Sequence, residues 1–358
     1  MTTLLKDSYN KELIQSIGER LKSEWSKFNK KEFLKSTYTN EFLTLELKDR
    51  MRWIAKKMND SLPIPYKQQI EFIKPLAPHY PALQGIIFPE FVHTFGLEDP
   101  TTSIEALEYL TQYSTGEFAI RPFLIKYPKT IDTMVEWSKH KNFHVRRLAS
   151  EGTRPLLPWA PKLPEYIKDP TPILPILENL KNDPEDYVYR SVANNLNDIS
   201  KDHPELALNI AEKWIGSSDS ANWAAKHGMR TLLKKGHPDA MKLFGFGDIS
   251  AIQVQDFNLE NHKIKIGEFT RLNIKLLNSG KSSKFRIEYM IHYLKKNGKH
   301  NTKVFQIAEK QIKPNEKVDY SKKLDFKDLS TRKHYAGQHF VSLSINGNRL
   351  NKLEFELV

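Results

Sequence analysis

Along residues 1–247 apolar residues recur every three or four positions in one segment after another, the period of a helix with one buried face. This pattern predicts helices over 11–28, 41–58, 103–112, 131–139, 144–153, 175–182, 187–200, 205–215 and 222–235. Breaker clusters such as Asn182-Asp183-Pro184 and Gly236-His237-Pro238 separate them. After Phe244-Gly245-Phe246-Gly247 the period drops to two: residues 264–266, 272–276 and 340–345 alternate as half-buried strands do. Asn297-Gly298 and Asn346-Gly347 each offer the pair of positive-φ residues that a two-residue hairpin turn needs. The chain is therefore expected to divide into an all-α part, 1–247, and a β part, 248–358. The short strands suit an antiparallel sandwich of immunoglobulin-like type, with a small β-barrel as the alternative.

Within the helical part a local pattern repeats. Val145-Arg146-Arg147-Leu148-Ala149 returns as Tyr189-Arg190-Ser191-Val192-Ala193, and more loosely as Ala225-Lys226-His227-Gly228-Met229. Offsets of 44 and 36 residues fall in the range of HEAT-type helix pairs, which stack into a curved solenoid lined by equivalent helices. Arg146, Arg190 and Lys226 then form a series of cations near helix starts along one concave face, set against the reading that they are ordinary solvated residues. Two positions after the shared alanine stand Glu151 and Asn195, with Asp198 about a turn later. Polar residues there line a groove, or else cap helices and bond to neighbouring backbone.

Composition narrows the function classes. The chain has 358 residues, 55 Lys+Arg against 43 Asp+Glu, a net charge of +12 and no cysteine. Disulfide frameworks, thiolate metal sites, Fe–S clusters and thiol nucleophiles are excluded. No run approaches the length of a membrane span and the start lacks a secretory core, so a cytoplasmic protein without a membrane is expected; a monomer is expected as a separate matter. The charge points to an anionic partner, with nucleic acid first. It is uneven: residues 248–358 carry 21 Lys+Arg against 12 Asp+Glu, leaving 34 against 31 for the helical part.

The stretch from His144 to Trp159 concentrates the chemistry. A basic helix start leads to Glu151, then Arg154, then a connection stiffened by Pro155, Pro158 and Pro161. A tryptophan on such a loop is presented at low entropic cost; packing under a loop is the bland alternative. Arg121 and Arg154 join Arg146, Arg190 and Lys226 as candidate phosphate contacts. Arg332 and Lys333, beside a Gly-containing turn, are the candidates on the β part. His140 and His144 have metal-ligand spacing, but no acid completes an HExxH pattern. Neither a Walker loop nor a nucleophile elbow is present.

Glu117-Phe118-Ala119-Ile120-Arg121-Pro122-Phe123, Ser150 to Trp159, Ser191 to Ile199 and Lys226 to Leu233 resemble signature segments of the AlkC-type alkylpurine DNA glycosylases. The resemblance extends into the β part through His334-Tyr335-Ala336-Gly337-Gln338-His339. It implies a HEAT-like repeat domain followed by an immunoglobulin-like domain, and excision of cationic lesions, chiefly 3-methyladenine and in some members 3-methylcytosine, from alkylated double-stranded DNA. Carried over by motif, the active-site acids are Glu117 and Glu151, with Asp198 as a further acid and Trp159 as the aromatic. No cofactor and no metal are expected. A positively charged base needs little general-acid help to leave; the developing sugar cation needs carboxylates. The rival readings are a HEAT-repeat scaffold that excises nothing and a metal-dependent nuclease.

Overall fold

The computed structural model describes residues 4–329 and 332–358. The chain separates into two compact units, one ending at Gly228 and the other beginning at Met229.

The first unit is helical. Its helices start where the sequence supplies a cap: Asn10 accepts from the Leu13 amide, Asp99 from that of Thr102 ahead of a Pro100 start, and Asn142 from that of His144. The segment expected to be one helix over 41–58 is two, Asn40–Thr44 and Leu47–Asp60, with Leu45 extended between them. The buried Arg50 guanidinium explains the break, since it donates to the Leu43 and Leu45 carbonyls that a continuous helix would have satisfied itself. The 222–235 segment also divides, into Asp219–Gly228 and Arg230–Lys235. Helices Lys30–Thr37, Tyr66–Ile73 and Ile87–Phe95 were not expected from the spacing.

The HEAT-like core of this unit is the Asp186–Asp202 helix, packed between Phe143–Gly152 and Asp219–Gly228. Val145, Leu148, Ala149, Val192, Ala193, Ala221, Ala224 and Ala225 are all fully buried at these contacts. Small residues let the helix axes approach closely. Lys226 sits in the last turn of its helix, so the third copy of the repeat does not place its cation at a helix start. Asn195 is fully buried and donates to the Ser150 carbonyl, tying two core helices together rather than lining a groove.

The second unit is an immunoglobulin-like sandwich, not a barrel. Its strands are β1 (Ile252–Leu259), β2 (Lys263–Ile264), β3 (Phe269–Asn278), β4 (Ser283–Leu294), β5 (His300–Ile312), β6 (Lys317–Asp325), β7 (Gly337–Ile345) and β8 (Asn348–Leu357). One sheet has the order β1-β3-β6, the other β2-β8-β7-β4-β5. Leu272, Ile274 and Leu276 of β3 meet Phe285, Ile287 and Val341 from the facing sheet in one hydrophobic core. At Asn346-Gly347 both residues have positive φ, 48° and 75°, and the tight β7–β8 hairpin follows. At Asn297-Gly298 only Gly298 does; a Gly298 N–H to Lys295 carbonyl turn closes a wider loop instead.

The helices Arg230–Lys235 and Pro238–Leu243 belong to this second unit. Gly236, in the left-handed region at φ 70°, meets Gly347 backbone to backbone; a Cβ on Gly347 would lie 2.0 Å from the Gly236 Cα. Dividing the charge at this boundary sharpens it. Residues 1–228 carry 30 Lys+Arg and 30 Asp+Glu, whereas 229–358 carry 25 and 13, the whole net charge of +12. Among the described residues no helix is long and apolar enough to cross a membrane.

Candidate active site

The site lies in the first unit, where the Phe143–Gly152 helix meets Glu117 and the 155–163 loop. Arg147 and Glu151 stand one turn apart on that helix, so their side chains point the same way, 3.7 Å apart. Arg147 also pairs with Glu117 and donates to Thr115 Oγ1 at 2.7 Å, while its guanidinium rests on the Tyr187 ring at 4.6 Å. Glu151 is gripped from both sides: Arg154 donates to its Oε1 at 2.7 Å, and Ser191 Oγ to its Oε2 at 2.6 Å. Behind it, Arg154 Nε reaches Asp198 at 3.0 Å, and Lys201 holds the other oxygen of Asp198 at 3.0 Å.

Burial pulls the Arg147 and Arg154 guanidiniums down, but the neighbouring carboxylates outweigh it and hold both above the ordinary arginine range. Three cations, Arg147, Arg154 and Lys201, and three acids, Glu117, Glu151 and Asp198, thus form one charge-balanced lattice, with Glu117 and Glu151 facing a cavity. Buried charges persist only when paired in this way.

That cavity has a volume of about 580 Å³. Glu117, Glu151 and Arg154 form one wall. Leu47, Met51, Leu83, Ile86, Phe118 and Leu157 supply apolar surface, and a third acid, Glu90, faces in from elsewhere. Burial raises the Glu90 carboxyl, yet His93 and Arg52, at 3.4 and 2.9 Å, more than offset it and leave it below the usual range. At the mouth stands Trp159, 74% exposed. Its backbone is left-handed, φ 62°, a conformation that costs a non-glycine residue about 1–2 kcal/mol. A large aromatic side chain left in solvent on a strained backbone is not core packing.

Comparison with known proteins places the chain in a family. Residues 114–233 match a family model described as DNA alkylation repair enzyme. Residues 253–358 match one described as the C-terminal Ig-like domain of uncharacterised protein YhaZ. The Bacillus subtilis (strain 168) protein named "Uncharacterized protein YhaZ" is 44% identical over 354 residues, 99% of each chain. The Pseudomonas fluorescens alkylpurine DNA glycosylase AlkC, solved bound to DNA containing an abasic site analog, is 34% identical with a TM-score of 0.94, over 99% of this chain and 100% of that one.

The chain belongs to the AlkC family. Against that family's motif, Glu117, Glu151 and Trp159 all border one cavity. Asp198 does not; it is 1% exposed and touches the site only through Arg154.

Several cations expected to meet phosphate are committed elsewhere. Arg121 is fully buried, and its guanidinium donates to the carbonyls of Gly152, Arg154 and Pro161 at 2.5–3.0 Å. It closes the 155–163 loop onto the helix and has no face left for DNA, which corrects its reading as a phosphate contact. Burial, then the nearby Arg154, pulls it down to about 10. Arg154 is likewise corrected, since it is buried between Glu151 and Asp198. Arg146 forms a two-pronged pair with Asp183, at 2.6 and 3.1 Å. Arg190 is exposed, pairing with Asp186 and lying over Trp223. Lys226 is half-buried, and Lys333 is exposed. Arg332 stacks over Tyr293 at 4.9 Å.

Arg147, Ser191, Glu90 and Lys48 were not singled out by sequence reasoning. For Arg147 the signal was available: an arginine four residues before Glu151 on one helix.

Proposed function

We propose that this protein is a monofunctional DNA glycosylase. It hydrolyses the N-glycosidic bond of cationic alkylated bases, 3-methyladenine first and 3-methylcytosine as a second substrate, in double-stranded DNA. The observation that carries this is the Glu117–Glu151 pair, locked by arginines on the wall of a cavity whose mouth bears an exposed tryptophan. Its AlkC relative, an alkylpurine DNA glycosylase bound to DNA containing an abasic site analog, supports the same reading.

The chemistry follows from the charges. Methylation at N3 makes the base cationic, so the C1′–N bond breaks with its electron pair going to the base, which departs neutral. The sugar is left with oxocarbenium character. Glu151, with both oxygens engaged by Arg154 and Ser191, is a fixed negative charge that needs no reorganisation as the sugar cation develops. Among the described residues, the bonds to Glu117 fall on Oε2. We assign its Oε1 to the attacking water, which adds through oxygen to C1′ and gives its proton to the carboxylate. Trp159 stacks on the cationic base. Asp198 acts through Arg154 as a positioning residue.

The 229–358 unit, holding the entire net charge, is proposed as an electrostatic clamp on the duplex, with Arg332 and Lys333 among its contacts. The protein acts as a monomer, in the compartment that holds the DNA, without a metal or cofactor.

The test is release of base from methylated duplex DNA in EDTA. Wild-type protein releases 3-methyladenine and leaves an uncleaved abasic strand, while Glu117→Gln and Glu151→Gln lose most of the rate. No release by wild type favours a non-catalytic scaffold; strand cleavage that appears without EDTA and is lost in it restores the metal-dependent nuclease. Removing residues 229–358 should weaken DNA binding and flatten its salt dependence.

A further inference from the structure

We propose that Lys48 is the positioning residue that latches Trp159 at the cavity mouth. The inference rests on the glycosylase reading above.

Trp159 holds a left-handed backbone that its own side chain does not explain, because the ring is largely in solvent. Such a conformation persists only where the surroundings over-determine it. Three constraints converge on the loop. Pro161 restricts Ala160 before it to extended backbone. Arg121 anchors the Pro161 carbonyl, and the Leu163 amide closes back on the Pro155 carbonyl at 3.1 Å. These fix the loop's ends. The third constraint acts on Trp159 itself: the Lys48 ammonium donates to its carbonyl, across 111 residues of sequence.

Lys48 is in turn held. It projects from the first turn of the Leu47–Asp60 helix, is half-buried, and its ammonium lies 4.5 Å from the centroid of the Phe118 ring. Phe118 follows Glu117 directly. One cation therefore couples the residue next to a catalytic acid with the backbone of the aromatic, and it lines the same cavity as both. A methionine at this position would keep the packing on Phe118 and lose the donor. An arginine would keep both the charge and a donor.

The test is a double-mutant cycle between Lys48 and Trp159, read by release of 3-methyladenine from methylated duplex DNA. Lys48→Met should lower kcat/KM about 5–30-fold, the upper part of the range of a lost stacking contact. Lys48→Arg should recover most of that loss. In a Trp159→Ala background the same Lys48→Met change should cost less than about twofold, since the latch has nothing left to hold. An equal cost in both backgrounds overturns the proposal and makes Lys48 an independent DNA contact; no cost in either also overturns it.

A second readout does not depend on activity. With the six tryptophans labelled by 5-fluorotryptophan, Trp159 is identified by the ¹⁹F signal that Trp159→Phe removes. Lys48→Met should shift or broaden that signal while the other five stay in place, which also shows the variant is folded. An unmoved Trp159 signal refutes the latch. If wild-type protein releases no base, the glycosylase reading fails, and the ¹⁹F experiment still decides the latch.

Discussion

Ser191 Oγ donates to Glu151 Oε2 at 2.6 Å, so the acid on one helix of the core is oriented by a hydroxyl on the next. The contact is buried, and Arg154 occupies the other oxygen. Ser191→Ala leaves Oε2 without that donor at a cost of about 1–3 kcal/mol. We expect base release to fall several-fold with DNA affinity unchanged; a single-turnover assay alongside an equilibrium binding titration separates the two. Glu151→Gln, which keeps an acceptor for Ser191 but removes the charge, should lose on the order of 100-fold.

Trp159 is predicted to matter for the reaction and not for the fold. With its ring 74% exposed, Trp159→Ala should shift stability by less than about 0.5 kcal/mol. Loss of a stacking contact of ~0.5–2 kcal/mol should lower kcat/KM by about 2–30-fold. Thermal unfolding and base release on the same preparation check both halves; a large stability loss would show that the ring is structural.

Arg121 is the converse. Its guanidinium satisfies the carbonyls of Gly152, Arg154 and Pro161 in a fully buried position. Arg121→Met should cost about 3–5 kcal/mol, as expected when one partner of a buried charged network is removed. Urea unfolding followed by tryptophan fluorescence reports on this unit, because all six tryptophans precede residue 224. The salt dependence of DNA binding, measured on the fraction that remains folded, should keep its slope.

His339 gives the second unit a pH dependence. It is fully buried; its Nδ1 accepts the Leu294 amide and its Nε2 faces the Tyr335 carbonyl, an arrangement that requires neutral imidazole. Burial pushes its pKa below the ordinary 6.5. The unfolded chain therefore takes up a proton that the folded one refuses, and stability rises with pH across that window. It is fully present above about 6.5 and drains away as the solution is acidified toward the folded-state value. Protection of the Leu294 amide against hydrogen exchange, corrected for intrinsic rate, should fall between pH 7.5 and 5.5, and His339→Phe should flatten the trend.

How much of this was legible in the sequence depends on the range of each interaction. Glu151, Arg154 and Trp159 lie within nine residues of one another, and a stiff proline connection made their convergence readable. The change of period after Gly247 announced the sandwich, yet β4 escaped because both of its faces are largely covered, so it does not alternate. The fates of the arginines were not readable. Arg146 and Arg147 are adjacent, but a helix turns ~100° per residue, which sends one to Asp183 and the other to the two acids. Nothing local distinguishes an arginine aimed at phosphate from Arg121, aimed at three carbonyls. Lys48 is 111 residues from the residue it holds, beyond any pattern of spacing.

The meeting of Gly236 with Gly347 fixes where this protein can be taken apart. Since no side chain fits between the two backbones, the short helices over 230–243 and the hairpin turn at 346–347 must travel as one piece. A cut placed at the visible change from helix to strand would strand those helices without the surface they are shaped to meet. The natural joint is Gly228–Met229, and an exchange of C-terminal units between relatives should succeed there and fail twenty residues later.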